Sequence, residues 1–329
     1  MTTRYAEVHK NPQGPGDARP TALQIVQDEN LTGQMTNKTI LITGASSGIG
    51  IDTAKALFAT NATLYLAARS LDKAKVALGP DLMQSPRVHL LELDLSSLRS
   101  VRACAAQFLS QSQTLNILIA NAGVMAPPEG RTEDGFETQF GTNHLGHFLL
   151  FQLLKPALLA AASPEDNGRV VVVASSGHRW SEVLFDNYNL EGEYEPFKAY
   201  GQSKTANIWM ANEIDRLYGS RGLRAFSLHP GGIESGLQQH LPEEQWAGFR
   251  DNKEFAVQWK SPEQGAATTV WAAISKSLDG LGGKYLEDVQ IANPVDPAGS
   301  MYSPGYAPHA YSPEKEKRLW DLSLKLVGM

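Results

Sequence analysis

The sequence has little of what would mark a secreted, nucleic-acid-binding or membrane-spanning chain. It holds one cysteine, Cys104, in 329 residues, which excludes an internal disulfide and favours a small buried core residue. Its net charge is −6 without a basic block, so nucleic acid and acidic membrane surfaces are not expected partners. No apolar run approaches the roughly 20 residues of a membrane helix, and no secretory signal begins the chain. These absences predict a cytoplasmic protein without a spanning segment.

The remaining composition, 42% hydrophobic and 19% charged, is typical of a globular chain. Residues 1–35 include several prolines and glycines and little periodicity, which predicts a flexible N-terminal extension with a short helix at Thr21–Leu31. Residues 36–329 contain no internal linker. We therefore expect one domain, which includes a C-terminal tail.

Strand-like segments alternate with helical segments along this domain. The strand-like segments are continuous apolar runs without period-two alternation, which is typical of a parallel sheet covered by helices on both faces. The predicted fold class is α/β, a doubly wound, Rossmann-like parallel sheet of about seven strands. The predicted strands are Ile40–Thr43, Thr63–Ala68, Val88–Leu93, Leu115–Ala120, Arg169–Ala174, Leu223–Leu228 and Lys284–Val289.

A glycine-rich turn follows the first predicted strand. Ile40–Gly50 reads ILITGASSGIG, with Gly44, Gly48 and Gly50 spaced G-x-x-x-G-x-G rather than G-x-G-x-x-G. A strand that delivers glycines to a helix N-terminus presents backbone N–H groups and the helix dipole to an anion. The turn is therefore either a phosphate site or an ordinary tight turn.

Small polar residues follow four more predicted strands, where ligands of open parallel sheets bind. Each cluster alone is an ordinary turn signal, but their recurrence favours a common site. They are Asp94, Asn121-Ala122-Gly123, Ser175-Ser176 and His229-Pro230-Gly231.

The end of the second predicted strand lacks the acidic residue that marks NAD binding. It reads Ala67-Ala68-Arg69, with no carboxylate before Asp72. Guanidinium suits a 2′-phosphate bidentately, so Arg69 favours NADP(H) over NAD(H). The alternative is a solvated surface arginine.

Tyr200 and Lys204 are the strongest catalytic signal. At i,i+4 on a predicted helix over Lys198–Tyr218, they share one face. A phenol with a pKa of about 10 is a poor catalyst near neutrality, and a nearby ammonium is expected to lower that pKa. Such a pair is informative only together with the other motifs.

In their order along the chain, these motifs resemble the short-chain dehydrogenase/reductase (SDR) family over Thr39–Leu286. The segments Thr142–Phe148, Tyr200–Lys204 and Gly283–Tyr285 are most similar to the branch of retinol dehydrogenases and the WW-domain-containing oxidoreductase. The resemblance implies an NADP(H)-dependent carbonyl reductase or alcohol dehydrogenase, which transfers hydride between the nicotinamide and an apolar or aromatic ketone, aldehyde or secondary alcohol.

The resemblance also implies roles for individual residues. Tyr200 matches the proton donor or acceptor, and Lys204 the residue that holds the nicotinamide ribose. Ser176, rather than Ser175, would hydrogen-bond the substrate oxygen, and Asn143 would position a relay water through a local helix distortion. No metal site is implied. The implied cofactor-binding residues are Gly44, Ser46, Ser47, Gly48, Ile49, Gly50, Arg69, Asp94, Leu95, Asn121, Ala122, Gly123, Tyr200, Lys204, Pro230, Gly231, Ile233 and Ser235.

Two predicted substrate loops, about 178–198 and 232–260, are long for this family. Such loops commonly determine specificity. The rings of the first either contact an apolar or aromatic substrate or merely pack the loop on the sheet. They are His178, Trp180, Phe185, Tyr188, Tyr194 and Phe197.

Other functions fit the same sequence motifs. An SDR-fold protein with a non-redox or scaffold role, or a natural-product tailoring enzyme, fits the same motifs. An unrelated nucleotide-binding protein would leave Tyr200, Lys204 and Ser176 without a role. SDR relatives are often dimers or tetramers, so a homo-oligomer is a further expectation. His144 and His147, beside Asn143, are expected to be structural.

Overall fold

The computed structural model describes residues 4–298 and 303–329, and its strands form one sheet. The strand order is β3-β2-β1-β4-β5-β6-β7-β8, and the described neighbours pair in parallel except for β7 and β8. The strands are β1 (Thr39–Thr43), β2 (Thr63–Ala68), β3 (Val88–Glu92), β4 (Ile117–Ala120), β5 (Gly168–Val173), β6 (Leu223–His229), β7 (Lys284–Glu287) and β8 (Gln290–Ile291).

Helices connect the parallel strands, and several begin at residues with strong capping chemistry. The Ser97 side chain accepts the Ser100 N–H at the start of one helix, and Glu195 with Pro196 begins another. The α-helices in the described ranges are α1 (Ala6–His9), α2 (Ala22–Asp28), α3 (Ile49–Phe58), α4 (Leu71–Leu78), α5 (Pro80–Met83), α6 (Leu98–Gln111), α7 (Gly146–Ala161), α8 (Pro196–Tyr218), α9 (Glu243–Arg250), α10 (Lys253–Ala256), α11 (Pro262–Gly265), α12 (Ala267–Ile274) and α13 (Pro313–Leu326).

Both faces of the sheet are buried, which explains why its strands read as continuous apolar runs. On β1, Leu41 joins the core beneath α6, α7 and α8, whereas Ile40 and Ile42 join the core beneath α2, α3 and α12. Successive side chains point to opposite faces, so each strand must be apolar throughout. The predicted doubly wound α/β fold is confirmed.

The sheet has one strand more than the seven predicted. The last predicted strand ends at Glu287, and β8 returns antiparallel to it after a two-residue turn. Asp288 and Val289 form that turn with φ of 54° and 57°. Such turns usually contain Asn or Gly, and the branched Val289 resembles a strand residue, so the local pattern conceals the turn.

The N-terminal segment, here residues 4–35, packs against the domain. Ile25 and Val26 on α2 are fully buried, and Arg19 is only 4% exposed. The prediction of a short helix is matched by α2, but that of a flexible extension is corrected for this segment. Its proline- and glycine-rich backbone finds partners far along the chain, which composition does not reveal. Residues 1–3 of the predicted extension and 299–302 of the predicted tail lie outside the described residues.

The helix Phe140–Ala161 corrects the prediction that no apolar run approaches the length of a membrane helix. Of the described helices, it alone is long and apolar enough to cross a membrane, judged by length and composition. Its most apolar window is 67% buried within the protein. It comprises a π-helical turn, Phe140–Leu145, followed by α7, and it packs between the sheet and neighbouring helices.

Candidate active site

A cavity of about 780 Å³ opens beyond the carboxyl ends of the parallel strands. It extends across the point between β1 and β4 where the strand order reverses, the usual ligand site of this architecture. Gly50 and Asn143 are outside its lining. The residues implied by the resemblance that line it are Gly44, Ser46, Ser47, Gly48, Ile49, Arg69, Asp94, Leu95, Asn121, Ala122, Gly123, Ser176, Tyr200, Lys204, Pro230, Gly231, Ile233 and Ser235.

The turn between β1 and α3 requires glycine for close backbone packing. Gly44 and Gly48 have φ of 73° and 54°, a region that side chains disfavour. A Cβ on Gly50 would lie 2.2 Å from the Gly44 carbonyl oxygen, and one on Gly44 would lie 2.8 Å from Ala122 Cα. Gly50 therefore shapes the turn from behind the cavity.

Asn121 joins this turn to the end of β4. Its backbone N–H donates to Thr43 Oγ1 and its Nδ2 to the Thr43 carbonyl, both at 2.9 Å. Its buried Oδ1 has no hydrogen-bond partner within residues 4–298 and 303–329. Because a buried acceptor is costly to leave unpaired, this atom fits a hydroxyl donated by a bound nucleotide.

Two cations line the cavity beyond β2. Arg69 directly follows the strand, and Lys73 lies in the first turn of α4, whose N-cap is Ser70. Both cationic side chains are exposed. Lys73 was not among the predicted site residues, although its i,i+4 spacing from Arg69 was a usable signal.

Tyr200 and Lys204 lie on α8 at the floor of the cavity, 4% and 3% exposed. Lys204 Nζ donates to the Val173 carbonyl at 3.0 Å and lies 5.5 Å from the Tyr200 ring centroid. Burial lowers the pKa of Lys204 to about 8. Burial raises the pKa of Tyr200 to about 12, although a hydrogen bond with Ser175 acts in the opposite direction. The expected lowering of the Tyr200 pKa is therefore corrected, because desolvation of the phenolate dominates.

Ser175 lies close enough to Tyr200 for its side chain to lower the pKa of the phenol. Its Oγ also accepts the Gly177 N–H at 3.0 Å, which places it as the N-cap of a 3₁₀ turn that begins at Ser176. A Cβ on Gly177 would lie 2.9 Å from the Tyr200 ring, so the turn packs tightly on the phenol. Ser176 lines the same cavity, so its predicted role toward the substrate oxygen stays a prediction.

Asn143 lies within the π-helical turn, so the implied helix distortion is present. Its Nδ2 donates to the Val124 carbonyl and to Ser203 Oγ, both at 2.9 Å, and its Oδ1 accepts the Val124 N–H at 2.8 Å. The side chain is thus engaged in holding the loop after β4. His147 contacts the Asn143 carbonyl through Nδ1 and Thr43 Oγ1 through Nε2.

Aromatic rings line another part of the cavity. Trp180 lies 5.2 Å from Phe197 and 6.1 Å from Tyr200 between ring centroids. Trp259 lies 5.3 Å from Trp246 and 5.1 Å from Phe255. These five rings of the two predicted substrate loops, with Tyr200, form an apolar surface next to the catalytic candidates.

The remaining rings of the first predicted substrate loop pack away from the cavity. Phe185 stacks on Trp209, Tyr188 packs against Phe140, and the Tyr194 hydroxyl donates to the Pro127 carbonyl at 2.5 Å. The buried His178 holds the Ala307 N–H. Four of the six rings therefore pack the loop against the domain, whereas Trp180 and Phe197 line the cavity.

The loop after β6 carries a close contact that the motif does not reveal. Gly231 has φ of 108°, and a Cβ there would lie 2.8 Å from Lys260 Cδ. Lys260 Nζ donates to the Pro230 carbonyl at 3.3 Å and to Asp288 Oδ1 at 2.7 Å. Lys260 thus links the two ends of the second substrate loop.

A family model described as short chain dehydrogenase matches residues 38–246. The chain belongs to the short-chain dehydrogenase/reductase family, whose members are oxidoreductases that bind NAD(P) and act on CH–OH or C=O groups. The family and its retinol dehydrogenase-like branch, both predicted from motifs, are confirmed.

Three similar proteins illustrate this membership. Short-chain dehydrogenase/reductase prx1 of Penicillium roqueforti is 52% identical over 330 residues, covering 99% of this chain and 95% of the relative. Retinol dehydrogenase 11 of Homo sapiens is 35% identical over 300 residues, covering 91% and 88%. The crystal structure of an uncharacterized protein from Mycobacterium Paratuberculosis has 31% identity and a TM-score of 0.69, covering 95% and 98%.

Proposed function

We propose that this chain is an NADP(H)-dependent carbonyl reductase or alcohol dehydrogenase for apolar or aromatic ketones, aldehydes and secondary alcohols. One observation carries the proposal: the buried Tyr200, with Ser175 and Lys204 beside it, shares a cavity with the glycine turn and with Arg69. A proton donor and a phosphate site in one cavity are what nicotinamide-dependent carbonyl reduction requires.

The preference for NADP(H) rests on charge at the end of β2. Arg69 and Lys73 line the cavity, where a 2′-phosphate would lie beside the adenine ribose. Asp72 instead pairs with Lys75 at 3.2 Å on the exposed side of α4. An acidic residue at this strand end would accept from a ribose 2′-hydroxyl, whereas two cations favour an added phosphate.

The hydrogen-bonding groups of the floor suit proton transfer to a carbonyl oxygen. NADPH, when bound, supplies the hydride. Tyr200, with a pKa near 12, keeps its proton at neutral pH and donates it to the oxygen. The Ser175 hydroxyl orients that oxygen, and Lys204 holds the ribose hydroxyls. Oxidation of an alcohol would use the same groups in reverse.

The aromatic surface supports the proposed substrate class. Trp180 and Phe197 flank Tyr200 on one side, and the Trp246–Phe255–Trp259 group covers the other end. Rings of this size bury large apolar areas and position flat substrates by edge and face contacts.

The test is titration with NADPH and NADH, followed by NADPH oxidation with a panel of hydrophobic ketones and aldehydes. Removal of a general acid typically costs about 10²–10⁴-fold, so we expect Tyr200→Phe to lower kcat about 10³-fold. The dissociation constant for NADPH should change less than about twofold, since the ring is kept. Tyr65→Phe is the control, because Tyr65 is buried in β2 against Phe108, outside the cavity lining.

Three results would contradict this proposal. Full activity of Tyr200→Phe would exclude Tyr200 as the proton donor. Tight NADPH binding without turnover of any carbonyl would favour the non-redox alternative. Binding of neither cofactor would overturn the assignment of the glycine turn.

A further inference from the structure

We propose that Arg19, in the N-terminal segment, is a positioning residue that holds the aromatic end of the cavity in place and thereby determines recognition of bulky apolar substrates. The inference rests on the proposed function for its substrate readout. Here the aromatic wall means Trp246, Phe255 and Trp259.

The Arg19 guanidinium binds the backbone of the substrate loop directly. Its Nη1 donates to the Gln258 carbonyl at 2.9 Å, and its Nη2 donates to the Trp259 carbonyl at 2.5 Å and to the Gly14 carbonyl at 3.1 Å. Its Nε donates to Asp17 Oδ1 at 2.8 Å. With a side chain only 3% exposed, Arg19 is a planar, fully oriented group rather than a mobile surface cation.

Neighbouring backbone bonds extend this contact on both sides. The Gly14 N–H donates to the Val257 carbonyl at 3.0 Å, so three consecutive carbonyls, of residues 257–259, accept hydrogen bonds from the N-terminal segment. Gln264, at the start of α11, donates from Nε2 to the Asp17 and Arg19 carbonyls at 3.1 and 2.9 Å. The segment is thus attached to the loop and to the helix that follows it.

One of these carbonyls belongs to the wall residue Trp259, and the other two belong to the residues that directly precede it. Trp259 is the ring that contacts both Trp246 and Phe255, and all three line the cavity. The next residue, Lys260, donates its N–H to the Gly232 carbonyl at 2.8 Å and its Nζ toward Pro230. Loss of Arg19 would leave two carbonyls without their charged donor, so the loop would shift to recover hydrogen bonds, and the rings would move with it.

A purely structural role for Arg19 is the competing explanation, and the chain offers a matched control. Arg169 is also buried, and its Nη1 and Nη2 donate to the Ala272 and Ser275 carbonyls at 3.2 and 3.1 Å. It also pairs with Asp279. However, Arg169 lies near the amino end of β5, whereas the cavity lies beyond the carboxyl ends of the strands. It is also outside the cavity lining.

The experiment compares the full chain with Arg19→Ala, Arg19→Lys and Arg169→Ala. Reduction by NADPH is measured with a two-ring aromatic ketone and with a short aliphatic ketone. For Arg19→Ala we expect KM for the aromatic ketone to rise about tenfold, or about 1.4 kcal/mol. The KM for the aliphatic ketone, kcat and the NADPH dissociation constant should stay within about twofold. Arg19→Lys should show most of the same rise in KM for the aromatic ketone, because an ammonium cannot reproduce the planar donor fork of a guanidinium.

Hydrogen–deuterium exchange provides a readout that does not depend on catalysis. Backbone amides of residues 253–261 should exchange faster in the Arg19 variants than in the wild type. Arg169→Ala should lower the melting temperature without changing either the KM ratio or exchange at residues 253–261. Should Arg19→Ala fail to fold, Arg19→Lys and Asp17→Asn carry the same comparison.

An unchanged KM ratio together with unchanged exchange at 253–261 in the Arg19 variants would overturn the inference. Equal changes in the Arg169 control would do the same, since they would indicate general destabilisation. If the wild type reduces no ketone, the proposed function is wrong, and hydrogen–deuterium exchange alone then tests the role of Arg19. Faster exchange confined to residues 253–261 would then still support the role of Arg19.

Discussion

The glycine-turn end of the cavity, where we propose that the cofactor binds, and the aromatic end, where we propose that the substrate binds, are built from different kinds of contact. At the cofactor end, Gly44 and Asn121 follow their strands directly, and their partners lie on the neighbouring strand. At the substrate end, the Trp259 carbonyl is held by Arg19, which lies 240 residues away in the chain. The cofactor end is thus a property of the sheet itself, whereas the substrate end depends on segments that are brought together only by folding.

The same contrast appears in how much space each end leaves. A Cβ on Gly50 would overlap the Gly44 carbonyl oxygen, but one on Gly232, beside the aromatic wall, would meet the Phe255 ring only at an ordinary contact distance of 3.6 Å. A closely packed backbone binds an invariant group such as a pyrophosphate well, because the donors cannot move away. A looser loop accommodates different substrates. Three comparisons sharpen or break this contrast.

The largest effect is expected for Gly50→Ala. Overpacking against backbone costs about 1–3 kcal/mol, and the upper value corresponds to about a 100-fold higher NADPH dissociation constant. Gly232→Ala, at the aromatic end of the same cavity, should change that constant less than about twofold, because its added methyl group meets Phe255 and Trp259 only at ordinary van der Waals distances. Calorimetric titration of both variants measures the difference. Similar losses in the two would show that the ends do not differ in rigidity.

The second comparison concerns the boundary between the ends. A hydrogen bond to a group that gains charge contributes about 2 kcal/mol, so Ser175→Ala should lower kcat about 30-fold. Ser176→Ala should lower it less than about threefold, since Ser175 is the serine whose side chain affects the pKa of Tyr200. Steady-state kinetics with one ketone decides between them. The reverse order of effects would restore Ser176 as the residue that binds the substrate oxygen.

The smallest effect is expected at the exposed edge of the cofactor end. Arg69→Glu should raise the NADPH dissociation constant about tenfold more than that for NADH, and Lys73→Glu should do so to a smaller extent. Because both cations are exposed, the effect should shrink at higher ionic strength. Lys75→Glu is the control on the same helix, as Lys75 pairs with Asp72 outside the cavity lining. Equal losses for both cofactors would remove the 2′-phosphate role of Arg69.

Local pattern was sufficient wherever a residue and its partner share one strand–turn–helix unit. The β2 bounds, Thr63–Ala68, match the prediction residue for residue, and Tyr200 and Lys204 share the predicted helix face. The choice between Ser175 and Ser176 stays a prediction, because both adjacent serines line the cavity. The predicted strand end at Val289 was wrong because a branched residue in the turn resembles a strand residue. The predicted flexible extension was wrong because the partners of that segment lie far along the chain.

The sequence by itself determined the α/β fold, the family and the position of the glycine-rich turn, because apolar periodicity and glycine spacing act over a few residues. Tertiary structure alone decided which rings face the cavity, which serine contacts Tyr200 and what holds the aromatic wall. It also decided the direction in which the pKa of Tyr200 shifts, since burial of the phenol raises it. Burial and long-range hydrogen bonds depend on the whole folded chain, and no short stretch of residues encodes them.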